Sequence, residues 1–426
     1  LKEIFFCELP GVFKDKMLKW VESFGVFCFL NSNSFKDSYS KFDFLLAAGS
    51  SKSYRFRQGD FELLNTVISN KKWLFGHFTF EFLHPVLGLP STATDDTGFD
   101  AGFLFEPEII MQAQGKSVTI ISEKSLPRAI YNDIQHVELS SNFHKCTSTL
   151  LSECESSGQY QEKLKKLLHH IQRGDCYEIN YCVQFEGRQS SQIHPLSLYK
   201  KLNSLSPAPM SAFYRVESSY LFCASPERFM TKCGDTLVSQ PIKGTIQRQI
   251  HDPNTDSKLK KQLFQSEKDR AENVMIVDLV RNDMSKVCLP GSVIVSELFG
   301  IKSFAQVHHL VSTIQGIIQQ DISFASILRA LFPMGSMTGA PKKRVLELIR
   351  QHETSPRGIF SGTIGYIDPH QDFDWNVVIR SIQFETESGQ IIYKAGSGIT
   401  ALSDPHTEYK ECMIKAAAMK NVLQSS

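Results

Sequence analysis

Strand-like segments follow one another along much of this chain with no helix between them. Gly25–Leu30, Phe42–Ala47 and Ser117–Ile121 are short apolar runs bounded by polar or turn-forming residues. Tyr177–Phe185, Ser219–Ala224 and Thr236–Ile242 repeat the pattern, as do segments near 359–367, 374–384 and 390–396. A parallel sheet needs a crossover helix after each strand, so this order predicts an α+β fold instead. Residues 1 to about 125 read as strands and turns. The polar stretch 140–158 reads as a connector between a region 1–140 and a second region 155–424. Helices are expected where apolar residues recur at helical spacing. Tyr160, Leu164, Leu167, Leu168 and Ile171 form one such stripe. Others are expected at about 257–266, 267–286, 341–352 and 405–423.

Composition narrows the function classes. Among 426 residues, 46 are Lys or Arg and 45 are Asp or Glu, giving a net charge of +1. That balance offers no basic field for nucleic acid or an anionic membrane. No apolar stretch approaches the roughly 18 residues of a membrane helix. The first residues lack the basic-then-apolar pattern of a secretory signal. Ten cysteines contain no Cys-x-x-Cys pair and read as thiols of a reducing cytoplasm.

Four places carry more chemistry than folding requires. In Pro241-Ile242-Lys243-Gly244-Thr245 a lysine is fixed between a strand and a turn. It either points to water or acts as base or nucleophile. At the reference pKa of about 10.4 only about 0.04% of a lysine is neutral at pH 7, so catalysis needs an environment that removes its proton. Glu227, in Ser225-Pro226-Glu227-Arg228, either pairs with Arg228 or returns to the lysine across one hairpin. Asp269 with Glu272, and Glu408 with Glu411, are i, i+3 pairs on two helices, with Lys415 one turn beyond. They are either solvated acidic faces or a site for a hard cation such as Mg²⁺, which keeps several waters while a substrate carboxylate joins it. The turn Gly335-Ser336-Met337-Thr338-Gly339 before Pro341-Lys342 resembles an anion nest, although its spacing is not that of a P-loop. Gly396-Ser397-Gly398 is a second glycine pair, and Arg380 is a candidate carboxylate clamp. Anion-binding elements beside a metal site suggest a small polycarboxylate substrate.

Pro241–Thr245, Asp278–Asp283, His309–Ser312, Gly339–Lys342 and Ala395–Ile399 together resemble the signature of the chorismate-utilising enzymes, in the same order, across roughly 155–424. That family includes anthranilate, aminodeoxychorismate, isochorismate and salicylate synthases. Lys243 stands where anthranilate synthases usually have alanine, so the resemblance points to the aminodeoxychorismate synthase component I branch. It implies a large antiparallel β-sandwich wrapped by helices, with the active site in a cleft on one side. It implies that Lys243 attacks chorismate at C2, that Glu227 is the acid/base residue, and that His309 assists. It assigns Arg380, Tyr366, Thr245, Lys415 and Gly396, Ser397 and Gly398 to the substrate. Mg²⁺ goes to Glu272 and Glu411, with Asp269 and Glu408 behind them.

The resemblance further implies a glutamine amidotransferase subunit as ammonia source, since no stretch looks like that module. Anthranilate synthase component I, and a noncatalytic chorismate or amino-acid sensor, are the alternatives. Ser32, Tyr39, Ser40, Lys41 and Phe42, with Pro209, Met210 and Ser211, resemble the pocket that binds tryptophan in several relatives. One departure stands out. Isochorismate- and salicylate-forming relatives carry a base lysine at the position of Glu178, and ammonia-using relatives usually carry glutamine.

Overall fold

Apolar runs as unbroken as Phe44–Ala48, Leu74–Phe78 and Ser219–Ser225 are buried at every residue. Strands of this kind need a layer on both faces. A computed structural model, which describes residues 1–8, 10–91, 97–139, 150–188 and 194–424, shows how the chain supplies those layers. Its strands form a twelve-stranded and a ten-stranded sheet. Neighbouring strands pair antiparallel. The sheets stack face to face. Leu45, Ala47, Ala212, Tyr214 and Leu221 of the larger meet Phe75, Phe103, Phe105 and Ile364 of the smaller.

The outer faces are covered by helices. Pro10–Val21, Ser157–Gln172, Pro195–Leu205 and Pro405–Gln424 close the larger sheet. Phe61–Ser69, Glu267–Ser285 and Phe324–Leu331 close the smaller. The α+β antiparallel sandwich wrapped by helices is therefore the observed fold. Both regions read from the sequence contribute to both sheets. Val26–Asn31 pairs with Met210–Val216, and Leu74–Phe78 pairs with Thr363–Ile367.

Three local expectations are corrected. Helices Pro10–Val21 and Phe61–Ser69 lie where only strands and turns were read. Phe13, Met17 and Val21 recur every four residues and face the core, and Asp60 caps the second helix by accepting from Leu63 N–H. Residues 140–149 of the connector lie outside the described residues. Its remainder is ordered structure: Leu150–Glu153 pairs with the strand Glu178–Arg188, and Ser156 and Gln159 form a capping box on the next helix. The segment 374–384 is not one strand. Phe373–Asn376 belongs to the smaller sheet and Ser381–Glu385 to the larger, with Arg380 between them at φ 50°.

A second crossing runs beside that one, from Ser219–Ser225 into Arg228–Cys233. The two corners are hydrogen-bonded, Val377 N–H to the Glu227 carbonyl and Ala224 N–H to the Arg380 carbonyl, each at 3.1 Å. Glu227 and Arg380 are thereby fixed at one corner of the sandwich. Among the described residues the cysteines are free thiols, and no helix is long and apolar enough to cross a membrane.

Trp375 anchors the outer core of the smaller sheet. It is fully buried, with ring centroids 5.5 Å from Phe78 and 5.3 Å from Phe324. Trp375→Ala is expected to cost about 3–5 kcal/mol, measured as a fall in the urea midpoint. A loss below about 1 kcal/mol would contradict this packing.

Candidate active site

The strand Ile242–Gln247 lies at an edge of the smaller sheet and pairs with Val307–Ile317. Its register shifts between Ile242 and Thr245, so Lys243 and Gly244 sit in a bulge. Gly244 takes φ 91°, a conformation that suits glycine. The bulge leaves Lys243 only 8% exposed and aimed at the other sheet. There Glu178, 1% exposed, begins the strand Glu178–Arg188. Lys243 Nζ lies 2.5 Å from Glu178 Oε1. Gly398 leaves the space beside this pair clear. A Cβ at that position would lie 3.0 Å from both Lys243 Nζ and Glu178 Oε1. Burial alone lowers the lysine pKa. The Glu178 carboxylate, with Glu272 and Glu227, outweighs that effect and holds the amine above its ordinary value, as an ammonium.

Glu227 does not pair with Arg228. That guanidinium is held instead by Asp374, at 2.8 Å, by Gln240, at 2.6 Å, and by Asp37. Burial pushes the Glu227 carboxyl up to about 7, against the opposing pull of Ser336 and Lys243. A carboxyl with that value is poised to give or take a proton near neutral pH. Arg380 Nη2 donates to His309 Nε2 at 3.1 Å. Arginine only donates, so Nε2 accepts, and Nδ1 carries the proton toward Thr245 Oγ1, 2.7 Å away. Burial, then the Arg380 charge, keeps His309 well below its ordinary pKa and therefore neutral. Burial also lowers the Arg380 pKa to about 10. Arg380 forms no ion pair among the described residues, which leaves its charge for an incoming carboxylate.

The two acidic helices converge. Lys268 Nζ lies 3.9 Å from Glu272 Oε1 and 3.2 Å from Glu408 Oε1. Sequence reasoning missed this lysine, although its i, i+4 spacing to Glu272 was there to read. Burial pushes Glu272 up to about 7 despite Lys243. Glu411 pairs with Lys415 at 2.8 Å, and Lys415 also donates to the Gly396 carbonyl at 3.2 Å. Asp269 packs against Gly244.

Glu272 Oε1 and Glu408 Oε2 are buried without hydrogen-bond partners, as oxygens waiting for a cation would be. Among the described residues no three Asp, Glu, His or Cys form a ready-made ligand group. The two orphaned carboxylate oxygens are of the donor type that a hard cation such as Mg²⁺ takes.

Other predicted residues lie differently. Ser397 turns away from the cleft, its hydroxyl 3.2 Å from Tyr160 Oη, so only its backbone can serve a ligand. The segment before Lys342 is no open nest. Gly339–Ala340 pairs with Glu178–Ile179, and Lys342 is held by Asp283 at 2.7 Å. From that segment Ser336 instead lines a pocket together with Glu227.

Tyr366 stands mid-sheet against Trp73, Phe75 and Phe42, not with Lys243. It lines a second cleft together with Ser32, Ser40, Lys41, Phe42, Pro209, Met210 and Ser211. Tyr39 stays outside that lining, its ring 6.0 Å from the Arg228 guanidinium.

The raised carboxyl of Glu227 has a stability consequence. The folded state binds its proton up to about pH 7 and the unfolded state only up to the ordinary 4.5. The penalty is absent below 4.5, grows between the two values, and is complete above 7. Glu227→Gln is therefore expected to stabilise the protein at pH 8 by an amount on the order of 3 kcal/mol, and to leave it unchanged near pH 4. Equal denaturation midpoints at pH 8 would refute the shift.

A family model described as chorismate binding enzyme matches residues 33–421. Aminodeoxychorismate synthase component 1 of Escherichia coli is 37% identical over 316 residues, covering 73% of this chain and 68% of that protein. The chloroplastic aminodeoxychorismate synthase of Arabidopsis thaliana is 42% identical over 272 residues, 63% of this chain but 29% of the longer relative. Among solved structures, anthranilate synthase component I from Streptococcus pneumoniae superposes with a TM-score of 0.77 at 22% identity, covering 91% of this chain and 93% of that one. That likeness bears on the fold alone. A signature of five motifs, a site that draws residues from three of them, and a match along most of the length lead to one conclusion: this chain belongs to the chorismate-binding enzymes.

Proposed function

We propose that this chain is an aminodeoxychorismate synthase component I, converting chorismate and ammonia to 4-amino-4-deoxychorismate, the precursor of 4-aminobenzoate for folate. The observation that carries the proposal is Lys243, buried and in contact with Glu178 of the other sheet, with Glu227 near enough to act on it by charge. The relatives that bear the name aminodeoxychorismate synthase support it. In this reading the Lys243 amine attacks C2 and the C4 hydroxyl leaves with a proton from Glu227. Ammonia then enters at C4 and expels the lysine. One hard displacement becomes two easier ones.

Arg380, Lys415 and the backbone of Gly396–Gly398 would hold the carboxylates, with His309 kept in one tautomer by Thr245 and Arg380. Glu272 and Glu411, with Glu408 and Asp269 behind them, would hold Mg²⁺, which when bound offsets the negative charge of the substrate.

The reading extends to a partner and a second ligand. The name component 1 on a relative supports a second subunit, here a glutamine amidotransferase that delivers ammonia in the cytoplasm. Residues 155–424 would form the catalytic region, and 1–140 an amino-acid-binding region with tryptophan in the second cleft. Asp374 and Asn376 supply polar groups among its apolar walls.

Incubated with chorismate, Mg²⁺ and an ammonium salt, the protein should form a product that yields 4-aminobenzoate only after a lyase is added. Lys243→Ala should abolish that product. Directly fluorescent anthranilate would assign the chain to the other ammonia-using branch, and unchanged turnover by the variant would remove the covalent step. Calorimetry with tryptophan should show saturable binding. No heat of binding would return the second cleft to a packing role.

A further inference from the structure

Glu178 is the residue that the resemblance leaves unexplained, and its surroundings give it a task. Its Oε1 meets Lys243 Nζ at 2.5 Å, and its Oε2 is buried with no hydrogen-bond partner. Among the described residues it is the only carboxylate within ion-pair distance of that lysine. Glu227, Glu272 and Glu411 also face the amine, but act on it only through their charge. Gly398 puts no side chain against the pair, where a Cβ would lie 3.0 Å from both atoms.

We propose that Glu178 is a positioning residue that holds the proton of Lys243, taking it as the amine attacks and returning it when the amine is expelled. This rests on Lys243 being the nucleophile. The step balances. The ammonium passes one proton to the Glu178 carboxylate, and the neutral amine bonds to C2 as the C4 hydroxyl leaves as water with the Glu227 proton. Ammonia bonds to C4, the C2–N bond breaks, and the amine recovers its proton from Glu178. The surplus proton on the new C4 nitrogen goes to Glu227. Because the pair keeps its number of protons throughout, its own proton need not enter or leave bulk water. A glutamine at this position can hydrogen-bond the lysine but cannot accept its proton.

The test compares kcat/KM for 4-amino-4-deoxychorismate formation in the wild type, Glu178→Gln and Glu178→Asp between about pH 6.5 and 8.5, since kcat/KM reports the free enzyme's ionisations. The ratio of wild type to variant cancels the pH dependence of Glu227 and of ammonia, which both proteins share. Glu178→Gln is expected to be at least tenfold slower at pH 7. Its deficit should close by about tenfold per pH unit as bulk water deprotonates the lysine. Glu178→Asp, which keeps the carboxylate, should hold a constant ratio. A constant ratio for Glu178→Gln overturns the proposal while the covalent reading stands. A wild type that makes no 4-amino product overturns both.

Discussion

The contact on which the site depends is one buried ion pair, Lys243 with Glu178, joining the edge strand of the smaller sheet to the strand Glu178–Arg188 of the larger. Each charge is removed from water, which costs several kcal/mol unless the partner is held in good geometry. Removing either side chain alone would leave a lone buried charge, at a cost of about 3–5 kcal/mol. The fold meets the geometric demand with backbone. A bulge at Lys243–Gly244 turns the lysine inward, and Gly398 leaves it room. A pair held this way is a charged resting state from which a reactive amine has to be released, so stability and chemistry meet in the same two atoms.

The rest of the site is arranged by strands that change sheets. Glu227 lies at one such corner and Arg380 at its neighbour, and hydrogen bonds lock the corners together. Glu227 therefore keeps an expensive position in the interior, where burial raises its pKa, while Arg380 forms no ion pair among the described residues. The acidic helices show the same imbalance. Lys268 bridges Glu272 and Glu408, yet buried carboxylate oxygens remain unsatisfied. Groups left short of partners in this way mark a site shaped for a charged ligand rather than for maximal stability.

Much of this could be read from the sequence where a motif or a helical period was long. The stripe Tyr160, Leu164, Leu167, Ile171 fixed a helix, and the i, i+3 spacing of Glu408 and Glu411 put both on one face of the last one. Lys243 was legible as an amine fixed between a strand and a turn, Glu227 as a carboxylate that could return to it across one hairpin, and Arg380 as a carboxylate clamp. What failed was what depends on distant contacts. Phe373–Asn376 and Ser381–Glu385 form one apolar run in the sequence, and only the left-handed backbone at Arg380 divides them between sheets. Tyr366 carries the right chemistry for a carboxylate but faces an aromatic cluster, and no period of two reveals which face of a doubly buried strand looks into which cleft. The glycine-rich turn before Lys342 was read by composition, whereas its backbone is taken up in pairing with Glu178–Ile179.

The central claim is that the Lys243 amine bonds to the substrate ring. The direct measurement is peptide mass mapping of protein quenched during exposure to chorismate and Mg²⁺ without ammonia. The account predicts that the peptide containing Lys243 gains the mass of chorismate less one water, and that added ammonia releases the gain as product. Turnover to the 4-amino product with that peptide unmodified at every time sampled would contradict it.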